Sequence, residues 1–303
     1  SKNPLTAPWR ALFLRRAIKE IRPSILHARS RVPAWLCRLA NRSLEIPFVT
    51  TVHGINSVNR YSKVMTSGDQ VICVGEPVRR HISKHYGPDP AKLTVIPRGV
   101  DMEAFNPRTI DSPRVDDLRQ ELGLADKKVV GSVGRISRVK DFETVIAAIG
   151  LLSSERKDLQ GMIVGGTRPD KQHYANSLKQ LGESTCPGRI VWAGSQSDMP
   201  AVYACCDLIV NASPLMGNVA RTLLEALAMD VPVLSTQLDG LEQLVQNGVN
   251  GYLFETGDAD DLAAKMKLLL NGPELSARKT IPQEFTLERM VESTLAIYRS
   301  LNR

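Results

Sequence analysis

Two basic residues, five positions apart, are the first sign of chemistry in this chain of 303 residues. Arg135 and Lys140 lie in SVGRISRVKDFETVIAA, where Arg135 follows a predicted strand and Lys140 precedes a predicted helix. Two cations beside the free backbone N–H groups of a helix start form a suitable site for a diphosphate. The alternative is that both are solvated surface charges. The chain contains neither GxGxxG nor GxxxxGKS/T, so the sequence does not support a dinucleotide fingerprint or a P-loop.

A second candidate site lies in residues 211–236, NASPLMGNVARTLLEALAMDVPVLST. The pattern predicts a strand end, a loop with Gly217 and Asn218, an apolar helix and another strand. Because the loop leads into a helix, its backbone N–H groups can point at an anion. Glu225 interrupts the apolar run LLEALA, and a carboxylate there can accept hydrogen bonds from the two vicinal hydroxyls of a ribose. The alternative is a Glu that complements the helix dipole, worth ~0.3–1 kcal/mol.

Strands alternate with helices along both halves of the chain, which predicts parallel βαβ units. Residues 102–126 are polar and contain clusters of Pro and Asp, which predicts an irregular linker between two domains. The predicted fold class is therefore α/β, with two doubly wound parallel-sheet domains. Ligands of such sheets bind at the carboxyl ends of the strands, and a cleft between the domains is the default site.

Charge is distributed unevenly between the two halves. Residues 1–108 contain 18 Lys+Arg and 7 Asp+Glu, a net charge of +11, whereas the rest of the chain is net −4. One interpretation is a solvated basic surface. The other is an anionic partner for the first half: a membrane face, a phosphorylated lipid or nucleic acid.

The chain is predicted to be a cytoplasmic protein. Its five cysteines are odd in number and show no CxxC spacing, which favours buried reduced thiols over disulfides or zinc ligands. No stretch approaches the roughly 18 apolar residues of a membrane span. The first 20 residues do not match a secretory signal, because arginines closely follow a short apolar run.

The ordered set of motifs resembles glycosyltransferase family 4. In the second half these motifs are GR-x4-K, CCDLIVNAS followed by a loop and LLEALAxxxPV, then GYLF and GDADDLAAKM. In the first half they are PFVTTVHG, GDQVICVGEPVRRHI and KLTVIPRGVDMEAFNP. The resemblance implies the GT-B fold, with two Rossmann-like domains facing a cleft. The expected divisions are an incomplete acceptor-side domain over 1–108, a nucleotide-sugar domain over 109–284, and a helix over 285–303 that crosses back to the first domain.

The resemblance also implies a role for each candidate residue. Arg135 and Lys140 would neutralise the donor diphosphate, and Glu225 would bind the ribose hydroxyls. The backbone N–H groups of Gly217, Asn218 and Val219 would contact the phosphate and the transferred sugar. His53, at the end of VTTVHG, would be the catalytic-site residue near the reacting sugar; its alternative is a strand-end histidine bonded to nearby backbone.

Retaining, metal-independent chemistry is a further implication of the resemblance. A divalent-metal DxD pattern at a strand end is missing, since Asp258–Ala259–Asp260 precedes a predicted helix and is typical of a helix cap. The expected co-substrate is a UDP-, GDP- or ADP-sugar, and we expect neither a metal nor another cofactor. The diphosphate would be stabilised by Arg135, Lys140 and helix N–H groups.

Two departures from the family pattern qualify this expectation. The family commonly has a Glu eight residues before Glu225, where this chain has Gly217; Asn218 can partly replace it as a hydroxyl partner. The family's opening strand and glycine-rich loop also have no counterpart, which suggests a truncated domain or a divergent short member.

The leading functional prediction is transfer of a hexose to a lipid-linked or polysaccharide acceptor, as in lipopolysaccharide, capsule or glycolipid synthesis. The basic first half would then lie on anionic lipid at the inner face of the plasma membrane. The alternative is an impaired GT-B remnant that binds a nucleotide sugar or regulates a partner. Nucleic-acid binding is disfavoured, because the basic half has few aromatic residues for stacking and no recognised module.

Overall fold

The computed structural model describes residues 6–214 and 219–302. The chain forms two compact units, one made of Ser1–Arg98 with Glu288–Arg303 and the other of Gly99–Leu287. The sequence placed these boundaries at 108 and 284. The first unit is therefore discontinuous along the chain, because its last segment follows the whole of the second unit.

Ten α-helices and ten strands occur within the described residues. The helices are α1 (Ala7–Ile21), α2 (Arg31–Asn41), α3 (Glu76–Tyr86), α4 (Ser112–Glu121), α5 (Phe142–Leu152), α6 (Gln172–Thr185), α7 (Met199–Ala204), α8 (Val219–Ala228), α9 (Ala259–Asn271) and α10 (Leu287–Leu301). The strands are β1 (Leu26–Ala28), β2 (Phe48–Val52), β3 (Gln70–Cys73), β4 (Leu93–Val95), β5 (Lys128–Val133), β6 (Leu159–Val164), β7 (Ile190–Gly194), β8 (Leu208–Asn211), β9 (Val233–Thr236) and β10 (Gly251–Phe254).

The sheet of the first unit contains β1, β2, β3 and β4 in that order, all parallel. Successive parallel neighbours joined by right-handed crossovers place their connections on one face of a sheet. That face packs against α1, α2 and α3 through residues such as Phe48, Val71 and Cys73. Because side chains alternate along a strand, Val49 and Ile72 point to the opposite face, where they pack against Ile297 and Tyr298 of α10.

The sheet of the second unit has the strand order β10-β9-β8-β5-β6-β7, and every pairing in it is parallel. This is the doubly wound arrangement, in which the chain starts at β5, moves outward to β7, and then returns to the other side of β5. Helices α5, α6 and α9 cover one face, and α4, α7 and α8 cover the other. The strand order reverses between β5 and β8, so the crevice at their carboxyl ends is the expected ligand site.

The prediction of an irregular linker over residues 102–126 was wrong. Within this stretch, α4 begins with Pro113 in its first turn, a position that proline favours. Val115, Leu118 and Leu122 follow at helical spacing and pack on the core of the second unit, with Leu124 fully buried. The apolar face of α4 is narrow and surrounded by charged residues, so its periodicity was hidden by the charge.

The structure confirms two predictions, one on the cysteines and one on the helix cap at Asp258. All five cysteines are free thiols, and four of them are buried. Asp258 caps α9, because its side chain accepts a hydrogen bond of 2.9 Å from the backbone N–H of Asp261. None of the helices in the described residues combines the length and hydrophobicity needed to cross a membrane.

Candidate functional site

The switch point of the second sheet brings together the two segments that the sequence singled out. Arg135 lies two residues beyond the end of β5, and α8 follows β8, the strand beside β5. Val219 is the first residue of α8, so its N–H group belongs to the helix start that has no partner within the helix. Gly217 and Asn218 lie outside the described residues. This edge of the sheet therefore combines cationic side chains with a helix start.

The Lys140 side chain lies against Gly134, the residue that follows β5. A Cβ placed on Gly134 would lie 2.6 Å from Cε of Lys140 and 2.9 Å from its Cδ, so the lysine stem occupies the space that glycine leaves open. Burial lowers the pKa of Lys140, and the charge of Arg135 lowers it further. Two cations are thus kept near each other, an arrangement that an anion between them would stabilise.

The turn that carries Arg135 depends on a second glycine. Gly165 follows β6 with φ +151, and a Cβ on it would lie 1.9 Å from the carbonyl oxygen of Gly134. Backbone hydrogen bonds join Gly134 N–H to Val164 O at 2.9 Å and Ile136 N–H to Gly166 O at 3.1 Å. The carboxyl ends of β5 and β6 therefore pack backbone to backbone, which fixes the path of the chain between Gly134 and Ile136.

Glu225 is buried, and both of its carboxylate oxygens have partners. The Tyr203 hydroxyl donates to Oε2 at 2.8 Å, and Arg221 Nε donates to Oε1 at 2.8 Å. The guanidinium belongs to a side chain that is 65% exposed, whereas Tyr203 is completely buried. Burial, followed by the nearby Glu225 charge, raises the pKa of Tyr203 well above its usual value. The tyrosine therefore stays protonated and donates a fixed hydrogen bond.

The hydrogen-bonding residues beside Glu225 were not identified from the sequence. Arg221 lies one helical turn earlier and could have been recognised by its i, i+4 spacing. Tyr203 comes from α7, which the sequence could not place beside α8. At the end of β8, Asn211 Nδ2 donates to Thr222 Oγ1 at 3.2 Å, and this bond links the strand end to α8.

His53 lies at the carboxyl end of β2 in the first unit, between two arginine side chains. Arg29 Nε donates to His53 Nε2 at 3.3 Å, and Arg98 Nη2 lies 3.1 Å from Nδ1. Its partners are therefore side chains, which the backbone-bonded alternative did not anticipate. Burial lowers the pKa of His53 to about 4, with further contributions from Arg98, Arg29 and His27. The ring is neutral at pH 7, and one of its nitrogens then acts as an acceptor.

A second histidine lies beside this group on β1. His27 Nδ1 is 2.5 Å from the Tyr298 hydroxyl, and His27 Nε2 is 2.7 Å from Thr51 Oγ1. Burial lowers the pKa of His27, and Arg29 adds to the effect. No sequence pattern associates these residues, since Tyr298 belongs to the C-terminal helix α10.

Two parallel-sheet α/β units, the second with its cationic site at the switch point, define a protein of the GT-B class. Within residues 6–214 and 219–302, no three His, Cys, Asp or Glu side chains are grouped so that they could hold a metal ion. The family model of glycosyl transferases group 1 matches residues 115–281, and that of glycosyltransferase family 4 matches residues 1–104. Since the first match covers more than half of the chain, this protein belongs to the group 1 glycosyltransferases.

Individual proteins are similar to this chain over most of its length. Spore coat protein SA of Bacillus subtilis strain 168 is 24% identical over 302 residues, covering 93% of this chain and 79% of that protein. A crystal structure of a glycosyltransferase from Rickettsia africae ESF-5 has a TM-score of 0.88 and 26% identity, covering 99% of this chain and 83% of the other. Anabaena Alr3699/HepE, crystallised with UDP-glucose, has a TM-score of 0.86 and 21% identity, and the match covers 96% of this chain and 82% of HepE.

Proposed function

We propose that this glycosyltransferase moves a hexose from a nucleotide-diphosphate sugar to a lipid-linked or glycan acceptor, with retention of configuration and without a metal ion. The observation that carries the proposal is the switch point of the second sheet, where Arg135, the partly buried Lys140 and the start of α8 lie at adjacent strand ends. These groups present positive charge and N–H donors to one region, which suits a diphosphate. HepE, a structural neighbour, was crystallised with UDP-glucose, which supports a UDP-sugar among the possible donors.

The two cations can replace a divalent metal in this chemistry. As the sugar leaves, negative charge grows on the diphosphate, and fixed cations and N–H dipoles stabilise that charge best when they need not reorganise. The Lys140 stem is partly buried in the space beside Gly134, and this packing would limit such reorganisation. In a front-face reaction the leaving phosphate itself takes the proton of the acceptor, so no protein nucleophile is needed. Activity in the presence of EDTA, equal to that with added Mg²⁺, would support the metal-independent mechanism, and complete loss would refute it.

Glu225 is our candidate for binding the donor ribose. Tyr203 fixes one carboxylate oxygen, while the other accepts a hydrogen bond from the exposed Arg221. Movement of Arg221 would free Oε1 for a ribose hydroxyl without disturbing the buried bond from Tyr203. In the first unit, His53 is the candidate for the reacting sugar. Both of its ring nitrogens face arginine side chains, so a sugar hydroxyl would replace one of these arginines as a partner of the neutral ring.

Lys140→Ala tests the donor site. Loss of a charge-assisted hydrogen bond to the diphosphate costs about 1.5–3 kcal/mol, so UDP affinity measured by calorimetry should fall about ten- to a hundredfold. Lys179→Ala is the matched control, because Lys179 is an exposed lysine on α6 and its loss should leave the affinity unchanged. Unaltered UDP binding by Lys140→Ala would remove this lysine from the donor site.

A turnover assay distinguishes an active enzyme from the alternative, a GT-B remnant that binds a nucleotide sugar without transferring it. The alternative is motivated by Gly217, which stands where the family commonly has a Glu. Slow hydrolysis of the nucleotide sugar, followed by release of free sugar, would establish catalysis without knowledge of the acceptor. Gly217→Glu restores the carboxylate that the family commonly has there, and we expect it to increase that hydrolysis. Donor binding without hydrolysis by either protein would favour the regulatory alternative.

Helix α1 is our candidate for contact with an anionic membrane, which would place the protein at the cytoplasmic face. Trp9, Leu12 and Phe13 are 69%, 55% and 67% exposed, and the same helix carries Arg16 and Lys19. Exposed aromatic and aliphatic groups flanked by basic residues suit the interface of anionic lipids.

Vesicle sedimentation tests this surface. Phe13→Ser should weaken binding to phosphatidylglycerol vesicles at least severalfold, and phosphatidylcholine vesicles should bind the unaltered protein weakly. Leu268→Ser is the control, because Leu268 is 52% exposed on α9 of the other unit. Equal binding of all three proteins to the anionic vesicles would exclude α1 as the contact.

A further inference from the structure

Two histidines lie one helical turn apart on α3, and neither belongs to the candidate sites described above. The ring centroids of His81 and His85 are 4.7 Å apart, with an angle of 55° between the ring planes. His81 is partly buried, whereas His85 is exposed to solvent. Side chains at positions i and i+4 lie on the same face of a helix, so the helix itself keeps the two imidazole rings together.

A hydrogen bond fixes the tautomer of the His81 ring. Its Nε2 lies 3.1 Å from the backbone carbonyl oxygen of Asn56, and a carbonyl oxygen can only accept. Nε2 therefore carries the ring proton, which leaves the lone pair of Nδ1 available in the neutral ring. Within residues 6–214 and 219–302, neither Nδ1 of His81 nor either ring nitrogen of His85 has a hydrogen-bond partner. Each ring of the pair thus offers one lone pair.

The bond from His81 to Asn56 is of the kind that supports metal ligands. A histidine that binds a metal usually donates its other ring N–H to a carbonyl or carboxylate, which orients the ring and raises its basicity. The segment that contains Asn56 is also tied to α3. The Tyr86 hydroxyl lies 3.3 Å from the carbonyl oxygen of Asn59 and accepts a hydrogen bond of 3.2 Å from the Asn59 N–H. The partner of the His81 ring is therefore held in place as well.

The end of α3 has a favourable field for a cation. His85 lies in the last turn of the helix, where the backbone carbonyl groups give the terminus a partial negative charge. The neighbouring Lys84 opposes a cation, but its side chain is exposed and its charge is screened by solvent. Imidazole nitrogen suits Zn²⁺, Cu²⁺ and Ni²⁺, whereas Mg²⁺ prefers oxygen ligands. Two imidazoles at this position therefore favour transition-metal ions over Mg²⁺.

We propose that His81 and His85 chelate a divalent transition-metal ion of the zinc class at the surface of the first unit. Each ring gives one nitrogen lone pair to the ion and displaces one of its water molecules. Among the described residues no third His, Cys, Asp or Glu joins the pair, so water completes the coordination. The pair is distinct from the proposed donor site, which belongs to the second unit and needs no metal.

Calorimetry of the full chain with ZnCl₂ at pH 7 tests this site. We expect saturable binding of Zn²⁺, and MgCl₂ should give no binding. His81→Gln and His85→Gln should each weaken Zn²⁺ binding at least tenfold, because each removes one of two ligands and loss of a supporting partner alone costs about 10–100-fold. The control is His173→Gln, which removes an exposed histidine from α6. Its Zn²⁺ affinity should remain within twofold of that of the unaltered protein.

NMR spectra of the histidine rings separate direct ligation from an indirect effect on folding. In metal-free buffer, His81 should show a protonated Nε2 and an unprotonated Nδ1. Addition of Zn²⁺ should shift the Nδ1 signal of His81 and one ring nitrogen signal of His85, while the signals of His173 stay unchanged. Urea unfolding in metal-free buffer checks the variants, and His85→Gln should keep the midpoint of the unaltered protein because the side chain is exposed.

Absence of Zn²⁺ binding, or binding that both substitutions leave unchanged, would overturn the proposal. Weakened binding in His81→Gln alone would also overturn it, because a chelate needs both rings. Weakened binding in both variants, together with Zn²⁺-dependent shifts of both rings, would establish the site.

Discussion

The protonation of His53 allows a quantitative prediction of acid stability. The pKa of its ring is about 4 in the folded protein, against an ordinary histidine pKa of 6.5, which we take for the unfolded chain. Between these values the unfolded chain binds a proton that the folded protein does not, so stability falls as pH decreases from 6.5 toward 4. At pH 7 both states are neutral and the effect is absent. In the folded protein the protonated ring is disfavoured by burial first, and then by Arg98, Arg29 and His27.

The size of this effect follows from the difference between the two pKa values. At pH 4.5, a folded pKa of about 4 against an unfolded pKa of 6.5 lowers the free energy of unfolding by about 2.5 kcal/mol. Because His53 is only partly buried, solvent screening reduces the expected value to about 1–2 kcal/mol. His53→Gln removes the titrating group and keeps an amide that can accept a hydrogen bond. On going from pH 7 to pH 4.5, the variant should therefore lose about 1–2 kcal/mol less stability than the unaltered protein.

Urea unfolding at the two pH values measures this difference. Other titrating groups, including His27, are present in both proteins and cancel in the comparison to first order. Tryptophan fluorescence and circular dichroism together check that one transition is followed. NMR titration of the His53 ring gives the folded pKa directly. An equal loss of stability in both proteins, or a ring pKa of 6 or above, would refute the placement of His53 between two arginines.

The remaining predictions concern the stability of the second unit, and each is paired with a control substitution in the first unit. Tyr203→Phe leaves the buried Glu225 without its O–H donor and should cost about 1–3 kcal/mol in urea unfolding, whereas Tyr61→Phe, at an exposed side chain, should cost less than about 0.5 kcal/mol. Gly165→Ala should cost at least about 1–3 kcal/mol, because it combines a φ favoured by glycine with the clash against Gly134. Gly87→Ala, where φ is +55 in open space, should cost about 1 kcal/mol from the backbone alone. Similar costs for Gly165→Ala and Gly87→Ala would contradict the close packing at the ends of β5 and β6.

Local sequence patterns predicted most of the elements, because the relevant interactions lie close together along the chain. The Asp258 cap depends on a partner three residues away, and β2 was visible as a β-branched run. Helix α4 was missed because its few apolar residues are separated by charged ones, so that the composition favoured a loop. The buried role of its apolar face depends on a core contributed by distant strands.

The candidate sites were predicted unevenly for the same reason. Arg135 and Lys140 lie five residues apart and were recognised together. By contrast, Arg29 and Arg98 are 24 and 45 residues from His53, and only the parallel register of β1 to β4 brings them to the same sheet edge. Glu225 attracted attention as a carboxylate within an apolar run. Its partner Tyr203 is 22 residues away, and no spacing rule in a sequence connects residues on α7 and α8.

The position of α10 has a consequence for biosynthesis. During translation, β1 to β4 leave the ribosome long before α10, which covers one face of their sheet. The second unit, Gly99–Leu287, is complete in the nascent chain before that face can be covered. Domains usually fold in the order in which they are synthesised, but here we expect the later unit to reach its final state first. A nascent chain arrested before α10 should then expose Val49 and Ile72 to chaperones and proteases.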